Sequence, residues 1–510
     1  MFNEELFDRL LIIDKEIVIY THISAVLEFD METAGSPLSG EERAVQLALI
    51  AQKTHSLETS KELGLLLMNL GACDDNKEGY GRTDFEKALI RKRFTVYSLN
   101  CKIPNEFIGR KEKALSLSYN KWVKARNAED FSLFAPALKD IVDLVREEAS
   151  YIKEEGCSSY DALLNIYEEG MSGEKLDKIF KELEPNLVEM VKEYSKLEIR
   201  DDFLYKRYDK EKQENFAIGL LSDMGFNLQR GTLKVSEHPF TSALGVDDIR
   251  ITTRYTDPSF IDPLSSTVHE GFHALYEMGA SSGQIKGTSL GEGVSMGFHE
   301  SQSRFGENIL LRSKVFWDKY YSELQETFPE NLADVSEDEF VRAINKVQPT
   351  FIRTNADEAT YNLHIILRYR LEKKLVEGDM EVDEIPEEWN KMFYEMFNLK
   401  VDKVSNGCLQ DVHWASGLFG YFPTYALGNL YSAQIYNKML EGFGGLQEYN
   451  KSLVEKGVLP VTEYLKKHVH QFGGIYKPTV LVKNITGEAL NSSYFVSYLN
   501  SKLKNLKKVK

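Results

Sequence analysis

Along residues 1 to about 200, apolar positions recur at steps of three and four, as in Leu163, Leu164, Ile166 and Tyr167 and again in Leu176, Ile179, Phe180 and Leu183. That period belongs to helices that bury one face. Turn residues punctuate the runs at Gly35-Ser36-Pro37, from Gly71 to Asn76, and at Glu184-Pro185-Asn186. Between Gly231 and Tyr255 the pattern changes. In Asp248-Ile-Arg-Ile-Thr-Thr-Arg-Tyr255 polar and apolar residues alternate, which predicts a strand. Asp248, Arg250, Thr252 and Arg254 would share one face, Ile249, Ile251 and Tyr255 the other. The polar face reads as the solvated side of an edge strand or as the wall of a groove. Helical periodicity then resumes, and Lys502 to Lys510 predict a helix terminus on the surface. The pattern gives a mostly α protein with one small sheet, without repeats or flexible linkers.

Composition narrows the function. The chain has 510 residues, 42% apolar and 28% charged, with a formal charge of −17. This is a folded, soluble composition rather than a disordered one. The acidity argues against a nucleic-acid partner, which needs a basic face. Cys73, Cys101, Cys157 and Cys408 include no CxxC pair, so a reducing, cytoplasmic setting is expected rather than a disulfide scaffold. The opening MFNEELFDRLLIIDKEIVIYTH carries charges through its apolar run, unlike a signal peptide. Val412 to Asn437 holds no Asp, Glu, Lys or Arg. Its His413, Gly417, Gly420, Pro423, Asn429 and Gln434 nevertheless make it too polar for a membrane span. It is expected to be buried interior, flooring a site, with no membrane partner.

The chemistry concentrates at His269-Glu270-Gly271-Phe272-His273. Two histidines one helical turn apart point the same way and can share one Zn²⁺, while Glu270 sits beside the ion, placed to take a proton. The context predicts a helix capped by Asp262, opened by Pro263 and closed at Gly279, with Leu264, Val268, Phe272 and Leu275 as its apolar stripe. The alternative is a pair of buried, hydrogen-bonded core histidines. A catalytic zinc takes three protein ligands and keeps a position open. Glu292 and Glu300 follow, eight residues apart and expected on one helix. Ser289-Leu-Gly-Glu292 reads as a capping box, which accounts for Glu292 and leaves Glu300 as the better third ligand. The aspartate four residues after the glutamate in thermolysin-type enzymes is absent, because Arg304 stands there.

Six motifs occur in order: His238-Pro-Phe240, Asp248-x-Arg250-x-Thr252, His269-Glu-x-x-His273, His299-Glu-Ser-Gln302, Ile352-Arg353-x-x-Ala356-Asp357 and Gly407-x-x-Gln410-Asp411-x-His413-Trp414. Together they resemble the signature set of the thermostable, Taq-type metallocarboxypeptidase family, and the resemblance runs nearly end to end. It implies a mostly α, neurolysin-like two-lobed helical fold with a deep central groove and one small β-sheet. Residues 1–510 would form a single catalytic unit, with about 1–200 roofing the groove and about 201–510 carrying the metal site. It also implies homodimers, one divalent metal per chain (Zn²⁺, with Co²⁺ as the alternative), and release of single residues from peptides with a free C-terminus.

By matching motifs, His269, His273 and Glu300 become the metal ligands and Glu270 the general base. Arg353 is expected to read the substrate carboxylate through its planar fork, oriented by Asp357, with Arg250 as the next candidate. The alternative for Arg353 and Asp357 is a helix-surface ion pair. His238, held extended before Pro239, and Gln410 are expected at the substrate. Asp411 is expected to hold the far nitrogen of a ligand imidazole. His413 and Tyr425, with Tyr421 as a second phenol, would offer donors to substrate and oxyanion, the alternative being a satisfied buried network. Gln471 departs from the family pattern, in which a basic residue follows the late histidine, here His470. Two other readings share these features: an HExxH endo-oligopeptidase or dipeptidase, and a metal-free helical scaffold.

Overall fold

Helices start where the sequence supplies caps. The side chains of Ser60, Ser158, Ser172, Asp209, Ser295, Ser313 and Asp357 each accept a backbone N–H of the turn that follows, satisfying donors that a helix leaves open. In the computed structural model, which describes residues 2–36, 38–255 and 258–507, these helices account for most of the chain. One three-stranded sheet is present among the described residues. The mostly α class with one small sheet is therefore the observed one. Pro37 and residues 508–510 of the lysine-rich end lie outside the described residues. One expected turn does not form: Pro185 sits inside the helix Gly173–Tyr194. The missing N–H costs one hydrogen bond, but the flanking Leu183 and Leu187 are fully buried and hold the helix through it.

The chain divides into two compact units. The first comprises Met1–Cys101, Arg200–Ile344 and Ile435–Gly487; the second comprises Lys102–Ile199, Asn345–Gln434 and Glu488–Lys510. Each unit therefore draws segments from both sides of residue 200.

In the first unit, strands β1 (Leu233–Val235), β2 (Thr241–Gly245) and β3 (Asp248–Thr253) assemble in the order β1-β3-β2. β1 runs parallel to β3, with Leu233 opposite Ile251, and β2 runs antiparallel, with Thr241 opposite Ile251. The alternating segment is thus the central strand, not an edge. Its polar face is not solvated at Thr252, which is fully buried and bonded to Ser236 Oγ at 2.6 Å. The helix Ile261–Ala280 lies on this sheet, where Thr267 Oγ1 lies 3.0 Å from Thr253 Oγ1. Its expected apolar stripe is buried at Leu264, Val268, Phe272 and Leu275. The expected caps are shifted: Phe260 precedes the helix, Asp262 and Pro263 lie in its first turn, and Ala280 ends it. Gly279 serves packing rather than termination, since a Cβ there would come within 2.6 Å of His470 Cβ.

In the second unit the helix Glu358–Glu377 is buried almost all round, with Arg368, Glu372 and His364 fully enclosed. It packs on the helices Gly173–Tyr194 and Ile385–Phe397. The uncharged stretch is interior, as expected: its Phe422, Ala426, Leu427, Leu430 and Tyr431 are buried. Among the described residues no helix is long and apolar enough to cross a membrane.

Candidate functional site

The helical spacing of His269 and His273 does what the sequence implies. Nε2 of His269 and Nε2 of His273 lie 3.6 and 3.7 Å from Glu300 Oε2. Glu300 comes from a separate short helix, Met296–Arg304, capped by Ser295. Glu292 lies outside that helix, so the expected capping box and shared face do not occur. Among the described residues these three side chains form the group whose ligand atoms all lie within 4.8 Å of one another. The two nitrogens face the carboxylate oxygen from beyond hydrogen-bond distance, a spacing that a divalent ion would bridge. The donor set of two imidazoles and one carboxylate fits a divalent ion of the zinc type, with His269, His273 and Glu300 as the residues that would hold it.

What surrounds this cluster was not foreseen in the sequence. His269 Nδ1 lies 2.9 Å from Glu307 Oε2. Arg304 donates from Nε to Glu300 Oε1 at 2.6 Å and from Nη1 to Glu307 Oε2 at 3.2 Å. Residues Phe305–Leu311 widen into a π-helical segment directly after Arg304, a local change of pitch common at functional sites. Burial opposes ionisation of Glu307, but Arg304 and His269 outweigh it and hold the carboxyl well below its usual range. Burial likewise opposes protonation of His269, and Glu300 and Glu307 more than offset it. Burial of the imidazole, with the neighbouring His299 next, shifts His273 well down. Its Nδ1 lies 2.6 Å from Nδ1 of His299.

Glu270 is buried on the same helix, and burial raises its pKa. Thr241 Oγ1, from β2, donates to Glu270 Oε2 at 2.6 Å. Arg250 stays with its strand neighbour Asp248 at 2.7 Å, and its guanidinium lies 5.3 Å from the Phe29 ring centroid. His238 is exposed. Its carbonyl accepts from Ser236 Oγ. Gln302 of the fourth motif is bonded to the buried His470, its Oε1 3.0 Å from Nε2, while Gln471 is exposed.

The second unit gathers the remaining candidates. Arg353 donates from Nε and Nη2 to Asp411 Oδ1 at 3.1 and 2.9 Å, and from Nη1 to Tyr361 at 2.9 Å. Arg368 donates to the other oxygen of Asp411 at 2.7 Å. Two expectations are corrected here. Asp411 binds these guanidiniums rather than a ligand imidazole, whose far nitrogens are taken by Glu307 and His299. Asp357 does not orient Arg353. It caps the helix Glu358–Glu377, accepting from Ala359 and Thr360, because the chain between Arg353 and Asp357 is a short 3-10 turn rather than a continuous helix. Gln410 accepts from the Arg353 backbone N–H at 2.9 Å and donates to the Phe351 carbonyl, so it fixes the loop that carries the arginine. His413 Nε2 lies 3.1 Å from the Tyr425 hydroxyl. Burial lowers the His413 pKa to about 4, so the ring is neutral near pH 7. Tyr425 also lies under the Arg353 guanidinium, 4.9 Å from ring centroid to Cζ, and Tyr421 packs against His413. Tyr361 and Arg368 were missed because the fifth motif ends before them.

The family model for carboxypeptidase Taq (M32) metallopeptidases matches residues 9–503. Carboxypeptidase 1 of Bacillus subtilis is 37% identical over 99% of this chain and 98% of its own length, and thermostable carboxypeptidase 1 of Thermus thermophilus is 34% identical over 98% and 99%. The crystal structure of an M32 carboxypeptidase from Deinococcus radiodurans superposes with a TM-score of 0.93 at 34% identity, covering 99% of both chains. With the HExxH cluster already assembled by its own geometry, the chain belongs to the carboxypeptidase Taq (M32) metallopeptidase family and is a metal-dependent carboxypeptidase.

Proposed function

We propose that the enzyme removes single residues from the free C-terminus of peptides, with Zn²⁺ as the native ion and Co²⁺ as a functional substitute. The observation that carries this reading is the convergence of His269, His273 and Glu300 beside the buried carboxylate of Glu270. A divalent ion there supplies Lewis acidity. Glu270 takes a proton from the attacking water and delivers it to the leaving amine. The Thr241 hydroxyl holds that carboxylate in place through the bond to Oε2. Arg353 reads the terminal carboxylate. Two buried guanidiniums, Arg353 and Arg368, share one carboxylate, Asp411, which leaves an excess positive charge for an anion to match. The Asp411 and Tyr361 bonds engage one N–H on each of Nε, Nη1 and Nη2, so Nη1 and Nη2 each keep a further N–H for the ligand. Tyr425 and His413 are the donors assigned to the developing oxyanion. A cytoplasmic homodimer remains part of the reading; free cysteines throughout the described chain agree with a reducing compartment.

The test compares free-acid peptides with their C-terminal amides, before and after chelation. Release of single amino acids from the free acids only, abolished by chelator and restored by Zn²⁺ or Co²⁺, is the expected result. Equal internal cleavage of the amides would favour an endo-oligopeptidase instead, and hydrolysis confined to dipeptides a dipeptidase.

A further inference from the structure

We infer that a small acidic pocket beside the metal cluster is a subsite for a primary ammonium group carried by the substrate upstream of the scissile bond. The inference rests on the release of single C-terminal residues and names a feature of the peptides that the enzyme prefers. Glu277 and Ser281 follow His269 and His273 at the same four-residue step, along the helix Ile261–Ala280 and its C-terminal cap. The stripe that carries the histidines therefore runs on into the pocket. At 1.5 Å of rise per residue, the two stand about 6 and 12 Å beyond His273 along the axis. Extended peptide covers about 3.3 Å per residue, which places the pocket about two to three residues from the scissile bond. Only one residue of a carboxypeptidase substrate lies downstream of that bond, so a pocket at this distance serves the upstream part.

The pocket suits a small cation. Its walls include His22 of the helix Glu4–Thr33, Ala243 and Gly245 of β2, Glu277, Ser281 and Glu292. It offers about 10 Å³, the space of one water-sized group. Ser281 is 7% exposed, and its enclosed Oγ has no hydrogen-bond partner among the described residues. Glu277 is buried. Its Oε1 accepts the Gly293 N–H at 3.1 Å and lies 2.5 Å from His299 Nε2, while its Oε2 accepts no hydrogen bond among the described residues. The Glu292 carboxyl makes no hydrogen bond or ion pair among them either. Burial, with the Glu277 charge next, raises its pKa to about 7, and Lys92 and Arg93 oppose the rise. Arg93 is committed to Asp14 at 2.5 Å, and Lys92 is exposed. Acceptors are thus in excess around an enclosed hydroxyl. An ammonium group is compact and donates only, which matches them. A guanidinium is a wider planar fork and exceeds the space.

The test uses the metal-loaded, full-length enzyme and N-acetylated peptides in which lysine is walked through the positions before the C-terminal residue. Norleucine, arginine and Nε-acetyllysine replace it in the reference peptides. At the second or third position before the scissile bond, kcat/KM is expected to be roughly 10- to 150-fold higher for lysine than for norleucine, the gain from a charge-assisted hydrogen bond. Acetyllysine should do no better than norleucine, and arginine should fall well below lysine. Glu292→Gln is expected to remove most of the lysine-to-norleucine ratio and Ser281→Ala to reduce it. In lysine-free tripeptides, a free amino end favoured over an acetylated one, and only with Glu292 intact, would assign the α-amino group to the same pocket. A parent without lysine preference at both positions overturns the subsite. So does a preference that both variants leave intact. Equal gains from lysine and arginine at every position also overturn it, since they would report the net charge of the chain. If the norleucine peptides release no single residue, it is the carboxypeptidase reading that fails, so the two failures are distinguishable.

Discussion

Thr241 Oγ1 lies 2.6 Å from Glu270 Oε2, which ties the middle of the HExxH helix to the sheet beneath it. The same hydroxyl is 2.9 Å from the Glu270 carbonyl, so side chain and backbone are held together. Valine keeps the shape of threonine and removes the donor. A hydrogen bond to a charged group contributes about 1.5–3 kcal/mol. Thr241→Val is expected to lower kcat roughly 10- to 150-fold on a free-acid peptide, with metal content unchanged. Glu270→Gln is expected to keep the metal and lose most turnover. Near-normal kcat in a metal-replete Thr241→Val sample would show that Glu270 needs no such restraint.

Arg304 sets the charge balance of the site. It is bonded to both Glu300 and Glu307, and all three side chains are largely buried. Removing one partner of a buried ion network leaves uncompensated charge and costs about 3–5 kcal/mol. Arg304→Gln is expected to lower the thermal midpoint of the metal-free protein and to weaken metal binding about 10- to 100-fold. Lysine should recover only part, because a point charge cannot reach both carboxylates. Titration of the apo-protein with Zn²⁺, followed by calorimetry, reads both effects.

Arg353 and its two candidate orienting partners can be separated. Arg353→Ala is expected to lower kcat/KM for free-acid peptides roughly 10- to 150-fold, from the loss of a charge-assisted pair. It should add little to the already poor hydrolysis of amidated peptides. Asp357→Ala should cost about 1 kcal/mol as a lost helix cap without changing that discrimination. Asp411→Asn should erode it, because both guanidiniums lose their shared carboxylate. If Asp357→Ala instead reduces discrimination as much as Arg353→Ala, the assignment of Asp411 as the orienting residue is wrong.

Much of this was legible in the chain because it depends on local spacing. Four residues of helix place His269 and His273 on one side, and the strand alternation at Asp248–Thr253 marks the sheet. Partners brought together by packing were not legible. Glu307 lies seven residues beyond Glu300, where a regular helix would suggest a surface pair, and it is the π-helical segment that accompanies its position beneath His269. His299 was visible only as part of a motif; its contact with His273 spans 26 residues. Asp411 was assigned to an imidazole because aspartates commonly hold one, whereas the fold spends it on Arg353 and Arg368, residues 58 and 43 positions away in sequence. The central place of β3 was hidden because its own alternation says nothing of the partners that pair on either side of it.

Glu372 gives a pH signature in the second unit. It is fully buried and accepts from Trp414 Nε1 at 2.9 Å, the Gly420 N–H at 3.1 Å and the Tyr160 hydroxyl at 3.0 Å. Burial raises its pKa from 4.5 to about 7, with those donors and Arg368 opposing the rise. Between these two values the folded state holds a proton that the unfolded chain has lost. Stability contributed by this group therefore falls as pH rises across that window and levels off above it. The full difference is about 3.5 kcal/mol at most, at about 1.4 kcal/mol per unit. Glutamine cannot lose a proton, so Glu372→Gln should be more costly relative to the parent at pH 5 than at pH 8. Denaturant unfolding of both proteins at the two pH values measures this as a difference of differences, which cancels other titrating groups. A destabilisation by Glu372→Gln that stays the same from pH 5 to pH 8 would mean that the three donors and Arg368 outweigh burial and that the folded carboxyl titrates at or below its ordinary value.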